Sequence, residues 1–450
     1  MLRLSVALVA LLTAPVLAQA DDVVGKTFPA TLAGHAVLEA NTIIPAPADA
    51  PADAQVSGKF AAGSARVDAP GTVEGDTGGL HGKRGTGLSF PFEGQPVQGF
   101  SGFAMERAED GSIIALTDNG FGSKLNSPDA LLFFHKINPD WETGDVARET
   151  IFLKDPDKVV PFRIAYEGTA ERYLTGADFD LESIQLVDGT LWIGEEFGPY
   201  LIEAGLDGVV KGVYPTMLNG EEIRSPDHPA LRIPAEEGKD YQSARSGGYE
   251  GMALQPGTGL LWAMLEKPLL GSGENALTVM AFDPKTREWT GDVVKFPLAE
   301  GATAIGDFNF IDETRALVIE RDNGEGDPSL KCEGEPTADC FPAPAMVKRV
   351  VLVDMSDVHE DGTVRRIGHI DLMDIADPDG IARLETAAAR DLTGKYTMPF
   401  FTIEDVMKVD DTHIIVANDN NLPFSSGRRL DAPAANEFLL LAVPELLAAE

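Results

Sequence analysis

The stretch TIEDVMKVDDTHIIVAND, residues 402–419, contains two apolar runs joined by a tight Asp410-Asp411 turn. This pattern predicts an antiparallel hairpin, in which the start of the first strand and the end of the second lie at the same edge. Glu404 and Asp405 stand at the start, and Asn418 and Asp419 stand at the end. The hairpin therefore gathers oxygen-bearing side chains at one edge of a sheet.

Four other stretches repeat this arrangement of a polar or acidic start, two apolar strands and a polar or acidic end. They are SGFAMERAEDGSIIALTDNGFGS from Ser101, ESIQLVDGTLWIGEEFGPYL from Glu182, EGMALQPGTGLLWAMLEKPLL from Glu250 and DFNFIDETRALVIERDNGEGD from Asp307. A second hairpin follows each of these four units. We therefore expect repeats of four strands each.

Five clear four-stranded units predict an all-β fold, a β-propeller. A sixth blade has room in residues 45–100, although the Pro/Ala-rich residues 45–56 are typical of a loop. Two stacked sheets are the alternative architecture. The main helical candidate is DPDGIARLETAAARDL, residues 377–392.

The two ends of the chain are expected to share a blade. Only one strand, EFLLLAV near residues 437–443, follows the fifth inner hairpin. A partner for it is available at the other end of the chain, in FPATLAGHAVLEA. We therefore expect N- and C-terminal strands to close the ring together.

Residues 1–20, MLRLSVALVALLTAPVLAQA, read as a signal peptide with a basic start at Arg3 and the small-residue site Ala18-Gln19-Ala20. A membrane anchor is the alternative, but the apolar run is short and Pro15 interrupts it. Residues 21–450 would then be a single periplasmic or secreted domain, which we expect to be monomeric and without a membrane anchor. In such an oxidising compartment Cys332 and Cys340 are expected to form a disulfide.

Acidic residues greatly outnumber basic ones. The chain has 72 Asp and Glu against 36 Lys and Arg, a formal net charge of −36. Such a surface repels nucleic acids and anionic membranes, so neither is an expected partner. A bound metal ion would locally invert the negative field and admit a small-molecule ester or phosphoester.

In a propeller the first strand of each blade lines the central channel, so the acids at the strand starts converge there. The predicted metal ligands are Glu182, Glu250, Asp307 and Glu404. Several oxygen ligands without paired His or Cys suit Ca²⁺ better than Zn²⁺.

The ends of the second strands reach the same face. There Glu196 and Asp118 are the candidate catalytic carboxylates, which would take a proton from the attacking water. Lys124, Lys267, Arg321 and Arg428 are candidate substrate-binding residues, with salt bridges to the surrounding acids as the alternative. No G-x-S-x-G elbow, P-loop or G-x-G-x-x-G fingerprint occurs in a fitting context. Metal-assisted hydrolysis of an ester is therefore the chemistry we expect.

Three stretches, DLESIQLVDGTLWIGEEFGPYLIEAGLDG, GYEGMALQPGTGLLWAMLEKPL and TIEDVMKVDDTHIIVANDNN, resemble the phytase-like family of secreted bacterial proteins. The resemblance runs from about Phe28 to Val443 and implies a propeller with Ca²⁺-aided phosphoester hydrolysis, the esterase-like activity of phytase. Because the chain lacks a dense basic cluster, a smaller phosphoester than phytate is expected. The alternatives are a propeller lactonase or carboxylesterase with one divalent metal, and a non-catalytic binding propeller stabilised by Ca²⁺.

Overall fold

The computed structural model describes residues 25–62, 65–66, 75–78, 85–118, 120–337, 339–384 and 394–450. The signal peptide predicted at residues 1–20 lies outside these ranges. Within them, the five acid-flanked hairpins stand side by side around one axis. Their inner strands contact one another in chain order, and each hairpin begins one blade of a five-bladed β-propeller.

Blades 2 and 3 are four-stranded antiparallel sheets in which chain order runs from the axis outward. Blade 2 comprises Leu181–Val187, Thr190–Glu195, Tyr200–Gly205 and Val210–Pro215. Blade 3 comprises Gly251–Leu254, Leu261–Met264, Ala276–Asp283 and Glu288–Pro297.

Blade 1 has three full strands where the repeat predicts four. They are Ile113–Leu116, Phe133–Pro139 and Val146–Phe152. The innermost position is held by residues around Phe103, which makes a single bridge to Ala115. Gly102 next to it has a φ of 125°, outside the range of a regular strand, and this explains why the inner strand is reduced to one bridge.

Blades 4 and 5 both use the N-terminal segment. Blade 4 comprises Ala304–Phe310, Arg315–Arg321, Lys348–Val358 and Val364–Asp371, with Lys26–Phe28 added in parallel at its outer edge. Blade 5 comprises Asp405–Lys408, His413–Ala417, Asn436–Ala442 and Thr31–Leu38. Thr31–Leu38 pairs antiparallel with Asn436–Ala442, so the predicted closure by both chain ends is confirmed.

The remaining elements are short. Beyond Thr31–Leu38 lie Ile375–Ala376 and Lys395–Tyr396. Small strand pairs are Met217–Leu218 with Glu221–Glu222, Ile43–Ile44 with Gln95–Pro96, Val56–Ser57 with Phe92–Glu93, Ala61–Ala62 with Ala65–Arg66, and Gly75–Gly78 with Gly85–Phe90. The helical turns are Ala52–Gln55, Pro328–Leu330 and Pro444–Leu447.

Two sequence expectations come out differently in the described ranges. Between residues 45 and 100 the described strands form only two-stranded pairs, so the structure has five blades rather than six. The Pro/Ala-rich segment packs inward, because Ala46, Ala50 and Ala54 are buried against Leu131 and Tyr173. Of the helix expected at 377–392, residues 377–384 are not helical and 385–392 lie outside the described residues.

The hydrophobic core consists of five large clusters, one between each pair of neighbouring blades. For example, Ile114 and Leu116 of blade 1 pack with Ile184 and Ile193 of blade 2. The other four clusters join blades 2 and 3, 3 and 4, 4 and 5, and 5 and 1. Five interfaces for five blades mean that the ring is closed and every blade is covered on both faces.

Two buried amides link the inner strands across the axis. The side-chain nitrogen of Asn309 donates to the carbonyls of Phe103 and Val406, at 3.1 and 2.8 Å. Its oxygen accepts from the side-chain nitrogen of Gln185 at 2.8 Å, and that nitrogen also donates to the Met252 carbonyl at 2.7 Å. These bonds connect all five blades.

The predicted Cys332–Cys340 disulfide is confirmed. It closes a loop between the second and third strands of blade 4. A structural disulfide is typical of proteins from oxidising compartments. None of the helices in the described ranges has the length and apolar character needed to cross a bilayer.

Candidate functional site

The end of the channel where the inner strands begin opens into a cavity of about 440 Å³. Its wall combines the start of the inner strands with the end of the second strands, the edge at which a hairpin gathers its two ends. The charged residues that line it are Asp118, Asp180, Glu182, Glu196, Glu250, Glu266, Lys267, Arg321, Glu404 and Asp419. Eight carboxylates therefore share one cavity with two basic side chains.

Glu182 stands at an irregularity in the inner strand of blade 2. Leu181 pairs with Glu195 and Ser183 pairs with Gly194, so Glu182 is an extra residue in the ladder. Bulges of this kind change the direction in which a side chain points. The Ser101 hydroxyl lies 3.2 Å from Glu182 Oε2 and 3.0 Å from Glu404 Oε2. It therefore ties the acid of blade 2 to the acid of blade 5.

Arg321 neutralises the side of the cavity formed by blades 3 to 5. Its Nη2 lies 3.0 Å from Glu266 Oε1, 3.4 Å from Glu250 Oε1 and 3.5 Å from Glu404 Oε1. Lys267 Nζ lies 2.9 Å from Glu266 Oε2. On this side, three carboxylates share two fixed positive charges.

On the side of the cavity formed by blades 1 and 2, the balance of acidic and basic side chains is different. Carboxylate oxygens of Asp118, Asp180 and Glu182 lie within 4.8 Å of one another, and so do oxygens of Glu182, Glu196 and Glu250. Among the described residues, no lysine or arginine lies within ion-pair distance of Asp180, Glu182 or Glu196. Glu182 belongs to both groups and is the centre of this acidic side.

Glu196 combines burial with an open oxygen. It is 4% exposed, and its Oε1 accepts the Gly248 amide at 3.1 Å. Its other oxygen has no hydrogen bond or ion pair with any described residue, and the side chain lines the cavity. The carboxylate is thus held in place by one oxygen, and the residue presents the other to the cavity.

Crowding and burial disfavour the charged form of these acids. Burial raises the pKa of Glu182 well above its usual value, and the charges of Asp118, Glu196 and Glu250 add to the effect. Burial, Glu404 and Glu266 likewise raise the pKa of Glu250, although Arg321 opposes them. Burial by itself lowers the pKa of Arg321, but its acidic partners outweigh burial and raise it overall. Additional positive charge in the cavity would reduce the repulsion between these carboxylates.

Asp307 lies away from the cavity wall. Its Oδ1 accepts the amide of Phe308 at 2.7 Å, and its Oδ2 accepts the amide of Val406 at 2.8 Å. Burial raises the pKa of Asp307 to about 8 against the opposing effect of these hydrogen bonds. Gly306 and Asp307 lie opposite a single residue, Ile319, so one extra residue displaces Asp307 from a regular ladder. Its ligand role stays a prediction.

The candidate substrate-binding residues are separated in space. Lys267 and Arg321 line the cavity, where both form ion pairs. Lys124 Nζ lies 4.9 Å from the centre of the Phe197 ring and outside the cavity wall. Arg428 is buried in a bidentate ion pair with Glu437, at 3.0 and 2.8 Å, and also lies outside the wall. Two of the four therefore line the cavity, and Lys124 lies close enough behind the wall for its charge to oppose the rise in the pKa of Asp180.

Three acids of the cavity wall, Asp180, Glu266 and Asp419, are not among the site residues predicted from the sequence, and Asp180 is the one next to Glu182. It stands two positions before Glu182 in the stretch DFDLES. Alternate residues of an extended chain point to the same side, so this spacing was a usable signal. Burial and the charge of Asp118 raise the pKa of Asp180 well above its usual value.

The family relationship agrees with this architecture. Residues 95–422 match the phytase-like family, described as "Esterase-like activity of phytase". The chain belongs to this family. The match includes the inner hairpin of every blade and all ten charged residues of the cavity wall.

Solved structures similar to the chain are distant in sequence. The glutaminyl cyclase of Myxococcus xanthus is 12% identical, with 78% of this chain and 93% of that chain covered and a TM-score of 0.34. The arabinanase Arb43A of Bacillus subtilis is 11% identical, with 76% and 96% covered and a TM-score of 0.33. The Dos1 propeller is 10% identical, with 78% and 70% covered and a TM-score of 0.29. No curated protein matches the chain in sequence.

Proposed function

We propose that this protein is a periplasmic or secreted hydrolase that cleaves small phosphoesters in the acidic cavity with the help of a divalent cation, Ca²⁺. The observation that carries the proposal is the pair of carboxylate groups that share Glu182, in each of which three oxygens lie within 4.8 Å of one another. Membership of the phytase-like family supports the choice of reaction.

The donor set fits Ca²⁺. This ion binds oxygen at about 2.3–2.6 Å, so two ligand oxygens on one ion lie at most about 5 Å apart. The oxygens around Glu182 satisfy this limit without any rearrangement. They include no sulfur or imidazole ligand, which argues for a hard cation over Zn²⁺.

The protein's own residues supply binding and proton transfer. When bound, the cation would polarise the phosphoryl oxygens and favour ionisation of water. Glu196 or Asp118 would accept the proton of the attacking water as its oxygen bonds to phosphorus. The ester P–O bond then breaks, and the leaving alcohol takes up a proton. Lys267 and Arg321 face the acids from the opposite side and would limit repulsion of the substrate's negative charge.

Hydrolysis of an aryl phosphate, an aryl carboxylic ester and a lactone, each with Ca²⁺ and with a chelator, tests the reaction class. We expect Ca²⁺-dependent release of phosphate from the first substrate. Glu182→Gln should lower this rate by roughly 100-fold because it removes the central carboxylate. Glu313→Gln, at an exposed position outside the cavity, is the matched control. Aryl phosphate hydrolysis that is unaffected by the chelator would contradict the proposal.

A neutral ester is the second candidate, because eight acids against two bases disfavour an anionic substrate. Ca²⁺-dependent cleavage of the carboxylic ester or lactone, without phosphate release, would establish that reaction instead. Cation binding without cleavage of any of the three substrates would indicate a binding propeller.

A further inference from the structure

The fixed positive charges of the cavity lie on one side only. Arg321 is 5% exposed, and its guanidinium contacts carboxylates from blades 3 and 5. Its Nη2 lies 3.0 to 3.5 Å from three carboxylate oxygens, so one guanidinium offsets part of the charge of three acids at once. Arg321 therefore offsets the negative charge of Glu250, Glu266 and Glu404, as a metal ion would otherwise do.

The two oxygen groups around Glu182 are not equivalent for this reason. The group with Glu196 and Glu250 shares Glu250 with Arg321, 3.4 Å away. The group with Asp118 and Asp180 contains no carboxylate that Arg321 contacts. A divalent ion placed in the second group would therefore share no ligand with the guanidinium, whereas one in the first group would compete with it for Glu250.

We infer that Arg321 is a built-in substitute for a second metal ion: the cavity binds one divalent cation, at Asp118, Asp180 and Glu182, and Arg321 occupies the place that a second would take. This inference rests on the proposed function and adds to it. One side of the cavity holds an exchangeable positive charge, the metal ion, and the other side holds a permanent one, Arg321. Glu196 shares Glu182 with the other oxygen group and lines the same cavity; with Asp118 holding the cation, the role of proton acceptor falls to Glu196.

The division has a consequence for the substrate. A permanent cation does not depend on metal supply, so one side of the cavity stays partly neutralised at all times. A phosphoester bound between the two charges would lose its metal-side contact in a chelator, whereas its repulsion by the acids of the Arg321 side would stay reduced. The substrate class that fits is a phosphoester with a single phosphoryl group, because its one anionic group would lie between one exchangeable and one fixed positive charge.

Counting tightly bound Ca²⁺ by calorimetric titration tests the inference without relying on activity. We expect one tight ion per wild-type chain, none in Asp180→Asn, and one in Glu404→Gln. In Arg321→Met the freed carboxylates should bind an additional ion, giving two. Arg321→Lys keeps the charge and should again bind one. Glu313→Gln, at an exposed acid, controls for loss of surface charge.

Arg321→Met loses a buried ion pair and is expected to be less stable in a chelator. Thermal melting therefore provides a second measurement: Ca²⁺ should raise the melting temperature of Arg321→Met by more than that of wild type. Equal shifts, or a single ion in Arg321→Met, would overturn the inference. Two tight ions in wild type would also overturn it and leave a Ca²⁺-dependent hydrolase intact. A wild-type chain that binds no ion would remove both proposals.

Discussion

Asn309 is the residue on which most of the contacts across the propeller axis depend. Its amide makes bonds to blades 1 and 5 and accepts one from Gln185 of blade 2, and it is fully buried. Leucine at this position would fill a similar volume but leave the carbonyls of Phe103 and Val406 without a donor. Buried polar groups that lose their partners are costly.

Asn309→Leu should therefore lower the free energy of unfolding by about 2–4 kcal/mol. Denaturant or thermal unfolding measures this change. Asn138→Leu is the control, since Asn138 is exposed and its side chain bonds, within the described ranges, to Ser112 alone. Similar losses in both variants would show that the axial bonds contribute nothing special to stability.

The buried side chain of His135 leads to a prediction of how the stability of the protein depends on pH. It is buried against Phe100 and Phe133, and it hydrogen-bonds to Thr150. Burial, assisted by Arg148, lowers the pKa of His135 from 6.5 to about 3. Below pH 6.5 the unfolded chain binds a proton here that the folded chain does not, so this histidine makes stability fall as pH falls.

The contribution has a limiting slope of about 1.4 kcal/mol per pH unit between its two pKa values. His135→Gln should make the melting temperature less sensitive to acid in this range. His359→Gln, at an exposed histidine, should leave the pH profile as in wild type. An unchanged profile in His135→Gln would mean that position 135 does not contribute to acid sensitivity.

The sequence could place the acids at the strand starts but could not tell which of them face the cavity. Glu182 and Glu404 stand at strand starts in the sequence and reach the cavity in the structure. Asp307 stands at a strand start in the same way, but a bulge of one extra residue turns it away from the cavity wall, whereas the bulge at Glu182 leaves that residue in the wall. Gly306 explains the displacement, because a Cβ there would lie 1.8 Å from the Ile403 carbonyl of the neighbouring segment. Such close contacts between blades are tertiary facts that a hairpin pattern does not contain.

At the scale of elements, the strands and their order were predictable because each hairpin has alternating apolar residues and a polar turn. The closure of blade 5 was predictable from one unpaired strand at each end. The parallel strand Lys26–Phe28 on blade 4 was not, since three residues carry too little pattern. The N-terminal segment thus joins two blades, with Lys26–Phe28 on one and Thr31–Leu38 on the next.

The closing strand should tolerate charge on one face only. Ala36 is fully buried between blades 5 and 1, whereas Ala33 of the same strand is exposed. Ala36→Glu should destabilise the protein by about 3 kcal/mol or more because it buries an unpaired carboxylate. Ala33→Glu adds the same charge in the same strand and should change stability little. Thermal melting of the pair distinguishes a structural closing strand from a loosely attached one, for which both variants would behave alike.

For the molecule as a whole, the net charge of −36 acts against compaction. Screening reduces this repulsion, with a Debye length of about 10 Å at 0.1 M salt. We expect the melting temperature to rise as NaCl is increased, and choline chloride at equal ionic strength to have the same effect. CaCl₂ at matched ionic strength should add a further increase from specific binding. A melting temperature independent of salt would show that the acids are already balanced locally.

The pairing of Thr31–Leu38 with Asn436–Ala442 also affects the order in which the parts of the protein fold. His35 lies opposite Leu439, so almost the whole propeller separates the two paired strands along the chain. Contacts between such distant parts of a chain form slowly because a very long loop must close first. Until residues 436–442 have been synthesised and have paired with Thr31–Leu38, blade 5 is incomplete and the ring stays open. Closing the ring is therefore expected to be the last and slowest step of folding.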